Sequence, residues 1–408
     1  MPSFSIPLTG LKADSVALST IGNNLANLNT TAFKKQDAQF ADIFYQNVGS
    51  SGSSAPLQVG LGTRIASVQS DFAQGGLTAT SNATDMAING AGFFLVQRDG
   101  VQQMSRAGNF QLNPSGDLIT SEGDTVMGYR AKNGSIDTSA SLQPLNIPTG
   151  SVHPPQATST FSFNTSLSAS ANVGDSFVAS TGMYDSLGQQ HAVGITFTKT
   201  ATNAWSYVAA MPAGDSTTVS GNRGLLTFAA DGTLATPTTG VVSMAFAGLA
   251  DGAADLPLSW KLRGSDGAGL LTQVAGAAAN TAAQQDGYSS GTYQKFTVDS
   301  AGVISASYSN NHTQVLGQLA VANVANPSSV SRIGGNLYAA NTASGAMNIG
   351  VAGTSGRGGI SDSSLEQSNV DISTEFADLI VAQRSFEANS KTVTAFDTIT
   401  QDSINMIR

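Results

Sequence analysis

Apolar residues recur every seven positions at both ends of this chain, and the middle between them has a different, β-like texture. Near the N-terminus Leu11, Leu18 and Leu25 are seven apart; Ile21 and Leu28 follow the last two by three residues, and Asp14 holds the remaining slot. Near the C-terminus Ile372, Leu379, Phe386, Val393, Thr400 and Ile407 are seven apart, with Ala382, Asn389 and Phe396 in the companion slot. Heptads at both ends predict an N-terminal and a C-terminal helix that pair as a coiled coil. Asp371 suits the N-cap of the second helix, with Glu375 in its first turn. Arg384, Glu387 and Lys391 fall together on its opposite face, with Glu387 and Lys391 in the favourable i,i+4 order. This helix can run for ~35 residues, or ~50 Å.

The first helix is predicted to be weak. Its second half reads IGNNLANLNTTAFKK (21–35), and Asn23, Asn24, Asn27 and Asn29 fall within seven positions. Asparagine costs up to ~0.7 kcal/mol per residue against alanine in a helix, and no charge lies between Asp14 and Lys34. Such a helix, apolar on one side and amide-rich on the other, is expected to order only when further copies pack around it and satisfy its amides. In the free subunit both ends are then expected to be unfolded.

The chain's 408 residues exceed what one hydrophobic core usually serves, so two or three domains are expected. The middle reads as β. FQLNPSGDLI (110–119) and FTVDSAGVIS (296–305) share a hairpin grammar: an apolar-x-apolar strand, Asn or Asp, two residues, Gly, then an apolar return. Lying on either side of the midpoint, they suggest one domain built from two distant segments. Between them FSFNTSL (161–167), VGITFTK (193–199) and WSY (205–207) alternate cleanly, with turns at DSLGQQ and AADGT. The expected fold is mainly β with terminal helices. The helical part takes 1–33 and 365–408, and a connector takes 34–70 and 359–364. A discontinuous β domain takes 71–145 and 285–358, and an outer β domain, 146–284, is inserted in it. Residues 46–60, QNVGSSGSSAPLQVG, read as a flexible linker.

Composition excludes several function classes. Charged residues are 11% of the chain, against roughly 25% in an average soluble domain. A surface that is polar but uncharged is cheap to desolvate and suits packing against other copies. It equally suits a secreted adhesin-like β protein, the competing reading. The net charge of -9 argues against nucleic acid, and Lys34-Lys35 is the only adjacent basic pair. Cysteine is absent, which removes thiolate chemistry and cysteine-based metal sites. The start, MPSFSIPLTGLKAD, shows no cleavable leader, and the uncharged stretches 232–250 and 267–285 are too interrupted to span a bilayer. No Walker A loop, G-x-G-x-x-G or H-E-x-x-H pattern occurs. His153, His191 and His312 read as isolated surface or turn histidines, and Asp185, Asp231 and Asp299 as turn formers. No catalytic, cofactor-binding or metal-ligating residues are therefore expected.

NNLANLNTTAFKK (23–35) resembles the N-terminal signature of the bacterial flagellar rod and hook axial protein family, and SNVDISTEFADLIVAQRSFEANSKTV (368–393) its C-terminal one. DFAQGGLTATSNATDMAINGAGFFLV (71–96), YDSLGQQHAV (184–193) and QDGYSSGTYQKFTVDSAGVISASYSNNHTQVLGQLAVANVANP (285–327) are similar to the hook branch of that family. The distal rod branch is shorter, lacks so large an inserted domain, and is the weaker match. The resemblance implies a non-enzymatic subunit without cofactors that polymerises into a curved tube, a universal joint carrying torque from rod to filament. It implies export through the type III apparatus to the extracellular hook, contacts with distal rod, hook cap and hook–filament junction proteins, and no membrane insertion. Leu11, Leu18, Ile21, Leu25, Leu28, Leu379, Phe386, Val393 and Phe396 would pack the inner tube. The N-terminal motif maps onto Asn23, Asn24, Asn27, Thr30, Phe33 and Lys34. Phe40 and Phe44 in FADIF match an element that engages the export gate, or else anchor a short connector. Where the family usually has glycine before Phe-Lys, this chain has Ala32, which would make a left-handed turn harder. The 46–60 linker is longer than in compact members.

Overall fold

The computed structural model describes residues 4–50, 56–132, 134–264 and 266–406. Helix α1 spans Ser5–Ala26 and helix α2 spans Ile372–Met406, and nearly everything regular between them is β. The chain divides into two compact units: one holds residues 1–149, 295–306 and 313–408, the other 150–294 and 307–312.

In the first unit the central strands are Phe93–Arg98, Val101–Ser105, Thr125–Lys132 and Thr313–Asn323. They pair antiparallel, with Val126 opposite Val96, Gly128 opposite Leu319 and Phe94 opposite Val321. Phe93, Leu95, Met104, Met127, Tyr129, Ala320 and Tyr338 form one core on this sheet. The tip of the Gln111–Leu112 to Leu118–Ile119 hairpin shows why its grammar works. Asn113 Oδ1 accepts from the N–H groups of Ser115 and Asp117, and Gly116 takes φ 83°, which a Cβ would resist. Asp299 repeats this with Ala301 and Val303, and Gly302 sits at φ 79°. The turn at 185–189 is a third copy: Asp185 Oδ1 accepts from Leu187 and Gln189 N–H, and Gly188 has φ 85°.

Residues 46–50 and 56–60 are not a linker. Strands Tyr45–Ser50 and Pro56–Gly60 pair antiparallel, Tyr45 opposite Gly60 and Ser50 opposite Pro56; 51–55 lie outside the described residues. Gly and Ser content reads as linker, whereas main-chain hydrogen bonds make this ladder, and composition does not display those.

The second unit is a two-sheet sandwich. Strands Thr160–Ser168, Val241–Leu249 and Leu256–Lys261 belong to a six-stranded sheet, and Ser176–Tyr184, Gln190–Ala201 and Ala204–Ala210 to a five-stranded one. Phe161, Phe163 and Leu167 on the first, and Val193, Ile195 and Phe197 on the second, alternate with more exposed neighbours and share one core with Trp205, Phe246 and Trp260. Period-two burial on facing sheets makes such a core. The expected limits at 146 and 284 shift to 150 and 294, because Val152–His153 pairs with Gly291–Thr292 and Gln156 bridges Tyr288. Residues 307–312 join this unit too, where the His312 ring lies 3.8 Å from that of Tyr288.

Candidate assembly site

Helix α1 has little to hold it locally: no side-chain cap at Phe4, no acid in its first turn and no base in its last. Packing holds it instead. The Phe4 ring lies 5.9 Å from Phe396, Asn389 Nδ2 donates to Asp14 Oδ2 at 2.8 Å, and Asn24 Nδ2 donates to Glu375 at 3.2 Å. Residue numbers rise along α1 as they fall along α2, so the helices run antiparallel. Gly10 permits the middle contact, since a Cβ there would lie 2.7 Å from Asn389 Nδ2.

Along α2 the slot that faces inward is Glu375, Ala382, Asn389 and Phe396, with Leu379 and Val393 half-buried beside it. Phe386, spaced as a seam residue, is 39% exposed, and Ile372 is also exposed. A straight helix drifts ~20° per heptad against a seven-residue repeat, so one slot cannot face the partner throughout. On α1, Leu11, Leu18, Ile21 and Leu25 are half-buried, as is Leu28 just past its end, whereas Ala13, Thr20 and Asn24 are buried.

The expectation that further copies must satisfy the amides is corrected for three of the four asparagines. The Asn24 carboxamide grips the main chain of Gln36, donating to its carbonyl and accepting from its N–H, both at 2.9 Å. Asn27 Nδ2 donates back to the Asn23 carbonyl at 2.9 Å, and Asn27 Oδ1 accepts from Thr30 Oγ1 at 3.0 Å. Asn23 Nδ2 donates to Gln36 Oε1 at 3.3 Å. The amides close the end of α1 and tie it to the strand Gln36–Asp42 and to α2. Burial pushes the Glu375 carboxyl above its ordinary range, the Asn24 hydrogen bond opposing.

Beyond the helix, Ala32 takes φ 54°, the left-handed conformation, without being glycine. It is fully enclosed and its N–H donates to the Glu366 carbonyl at 2.8 Å. Lys34 then enters a buried cluster: its Nζ donates to Glu366 Oε1 at 2.6 Å and to the Ala73 carbonyl at 2.8 Å. Glu366 Oε2 accepts from Arg106 Nε at 2.7 Å, and Arg106 also donates to the carbonyls of Ile88, Gly90 and Gly92. Burial pulls the Lys34 ammonium below its ordinary value, with Glu366 opposing. Phe33 lies under the Arg332 guanidinium, 5.1 Å from its ring centre, and Arg332 donates to the Lys34 carbonyl. Asn369, in SNVD, accepts from Lys35 N–H at 2.7 Å and donates to the Asp71 carbonyl at 2.9 Å. The two terminal motifs therefore meet in one buried polar knot. Glu366, Arg106, Arg332 and Asn369 escaped sequence reading because partners more than 250 residues apart leave no periodic trace. The one available signal was Lys34, the first charge after a long uncharged run.

Phe40 is partly exposed in the strand Gln36–Asp42, and Phe44 is 87% exposed. A groove lined by Ile21, Asn24, Phe40, Glu375, Val381 and Ala382 runs between the helices and that strand. On α2, Phe376, Ile380 and Val381 are 50%, 58% and 67% exposed. Asp371 caps this helix, accepting from Thr374 N–H at 2.8 Å. No helix among the described residues is long and apolar enough to cross a membrane.

Four family descriptions match segments of the chain. Flagella basal body rod protein covers 7–34, the flagellar hook protein FlgE/F/G D1 domain 87–166, the flagellar basal body protein FlaE D2 domain 175–288, and the flagellar basal body rod FlgEFG protein C-terminal region 361–406. The flagellar hook protein FlgE of Salmonella typhimurium is 33% identical over 99% of this chain and all of its own length. The chain belongs to the flagellar hook protein FlgE family. The FlgE proteins of Treponema pallidum and Escherichia coli are each 32% identical, the first over all of both chains and the second over 99% of this chain and all of its own. The crystal structure of Helicobacter pylori FlgE2 shares the fold with a TM-score of 0.56, at 14% identity, over 71% of this chain and all of that one. Within this family Ala32 shows that the left-handed turn before Phe33-Lys34 is made without glycine.

Proposed function

We propose that this chain is a structural, non-enzymatic subunit of the bacterial flagellar hook. It polymerises helically into a curved tube that acts as a universal joint between rod and filament. The observation that carries the mode of assembly is the outer face of α2. Phe376, Ile380 and Val381 leave apolar surface in water on a helix whose other side is already packed on α1. In a polymer of copies that surface becomes buried, at about 25 cal/mol per Å². Helices α1 and α2 pair as an antiparallel coiled coil and line the inner tube. The groove beside Phe40 receives part of a neighbouring copy. Phe40 and Phe44, left in solvent by the strand that carries Phe40 and the turn after it, serve the export gate before assembly. Export delivers the subunit to the extracellular hook, whose ends contact distal rod, hook cap and junction proteins.

The test is assembly of Ile380→Asp. A carboxylate in the buried inter-copy face costs several kcal/mol, whereas in the free chain this position is exposed and tolerates it. Electron microscopy after salting out should show tubes from the parent chain and none from the variant, with unchanged circular dichroism. Normal tubes from the variant contradict the assignment of that face.

A further inference from the structure

In the sandwich unit three turns from distant parts of the sequence converge on one imidazole. Asp185 lies in the turn after the strand Ser176–Tyr184, Asp215 just before Ser216–Ser220, and Asp251 just after Val241–Leu249. His191 stands on Gln190–Ala201 among all three, so the expectation of an isolated histidine is corrected. Its Nε2 is 2.9 Å from Asp185 Oδ2 and 3.5 Å from Asp251 Oδ2, and its Nδ1 is 3.6 Å from Asp215 Oδ2. Asp185 is completely buried and His191 nearly so. Among the described residues no lysine or arginine pairs with any of these carboxylates. Even a doubly protonated imidazole leaves the group with excess negative charge, carried by Asp215 and Asp251, whose side chains are 37% and 26% exposed.

The carboxylates are aimed as well as gathered. Asp185 spends Oδ1 on Leu187 and Gln189 N–H, and Asp251 spends Oδ1 on Ala253 N–H, so each turns Oδ2 toward the imidazole. With an ion on Nε2 the imidazole carries its remaining proton on Nδ1, on the side where Asp215 Oδ2 lies 3.6 Å away. The three ligand atoms lie within 4.8 Å of one another. For an ion about 2.1 Å from Nε2 and from one Oδ2 at a time, the 2.9 and 3.5 Å separations subtend roughly 90° and 110°, ordinary for four- or five-coordinate sites.

We propose that Asp185 Oδ2, His191 Nε2 and Asp251 Oδ2 bind one divalent first-row transition-metal ion of the zinc class, with Asp215 as the carboxylate behind the histidine. One nitrogen and two carboxylate oxygens suit zinc, cobalt or manganese better than calcium, which takes six to eight oxygens. Water completes the shell on the Asp251 side, which is partly open. The ion would take the place of the Nε2 proton, cancel the excess charge and clamp the 185–189 and 250–253 turns together at that edge of the sandwich.

Metal-stripped full-length protein, dialysed against zinc chloride and measured by elemental analysis, should retain one zinc per chain. Cobalt(II) substituted into it should give visible ligand-field absorption from a low-symmetry nitrogen–oxygen site. His191→Gln and Asp251→Asn should abolish both signals. Asp251→Asn keeps the Oδ1 acceptor of its turn at a partly exposed position, so it reports on the site without disturbing the core. Asp215→Asn should weaken zinc binding roughly 10–100-fold, and His153→Gln and His312→Gln should leave it intact. Loss of stoichiometric zinc from the folded parent chain, or uptake that survives both His191→Gln and Asp251→Asn, overturns the proposal. Weak binding at several sites that these variants do not change is surface binding only and overturns it equally.

Discussion

The sandwich unit and the terminal helices solve the burial problem in opposite ways. In the sandwich, two sheets enclose Phe161, Phe163, Phe197, Phe246, Trp205 and Trp260, each at most 2% exposed. Its large aromatics have partners within the same unit, Phe161 stacking 6.2 Å from Trp260 and Tyr207 meeting it edge-on at 5.3 Å. In α2 the only buried residues are Glu375 and Ala382, while Phe376, Ile380 and Val381 face solvent. The lesson is that one chain carries a region complete in itself and a region whose apolar surface is left for something else. What holds the helices in the single chain is mostly polar: Asn24 with Gln36 and Glu375, Asn389 with Asp14, and the knot around Glu366.

The contrast breaks most severely at Glu366. Glu366→Ala strands Lys34 and Arg106 in a buried site, and loss of one member of such a cluster costs roughly 3–5 kcal/mol. Thermal denaturation should show the first unit melting early while the sandwich keeps its own transition. A single unchanged transition would mean that the knot does not hold the terminal motifs. Trp260→Ala is the mirror experiment: a cavity costing about 3–5 kcal/mol should destabilise the sandwich and leave the Glu366 region unaffected, read from Trp205 fluorescence against helical circular dichroism.

Much of this contrast was legible in the sequence. The alternation of Phe161, Phe163 and Leu167 names its buried face because a strand has period two, and the Asn113 and Asp299 turns follow from their own side-chain chemistry. Both helices were legible as periodic segments, and the match of 32–33% identity over the whole chain places it in the hook family that its terminal motifs suggested. The choice of seam slot was not legible. Spacing counts Phe386 and Ala382 alike, whereas the structure turns Phe386 outward and puts Glu375 and Asn389 inside. Polar residues at inward positions are invisible to a hydrophobic pattern; only the partner explains them. The 45–60 hairpin and the His191 cluster were lost for the same reason, since main-chain pairing and contacts across 24 to 60 residues carry no local signature.

Smaller changes sharpen the comparison. Ala32→Gly should stabilise the first unit by about 1 kcal/mol, because a non-glycine residue at φ 54° costs roughly 1–2 kcal/mol; denaturant titration reads the shift. Loss of stability would show that the Ala32 methyl packing outweighs the backbone strain. The smallest effect concerns pH. The Glu375 carboxyl is raised in the folded chain, so its ionised form opposes packing of α1 on α2. Stability from this residue is greatest below the ordinary glutamate value and falls as pH rises through the raised one. Glu375→Gln should remove that slope and gain slightly at neutral pH, since a carboxamide oxygen still accepts from Asn24. A slope unchanged in the variant would assign it to another group.

Amide hydrogen exchange, compared between the soluble chain and its salted-out polymer, tests the central contrast most directly. In the soluble chain the strands Thr160–Ser168 and Gln190–Ala201 should exchange slowly while α2 exchanges fast, because local opening follows the amount of buried apolar contact. In the polymer the amides of α2, above all those flanking Phe376 and Ile380, should become as slow as the sandwich, whose own protection stays the same. Helix α2 as protected in the soluble chain as in the polymer would contradict the account, for it would show that the helices are already complete without other copies.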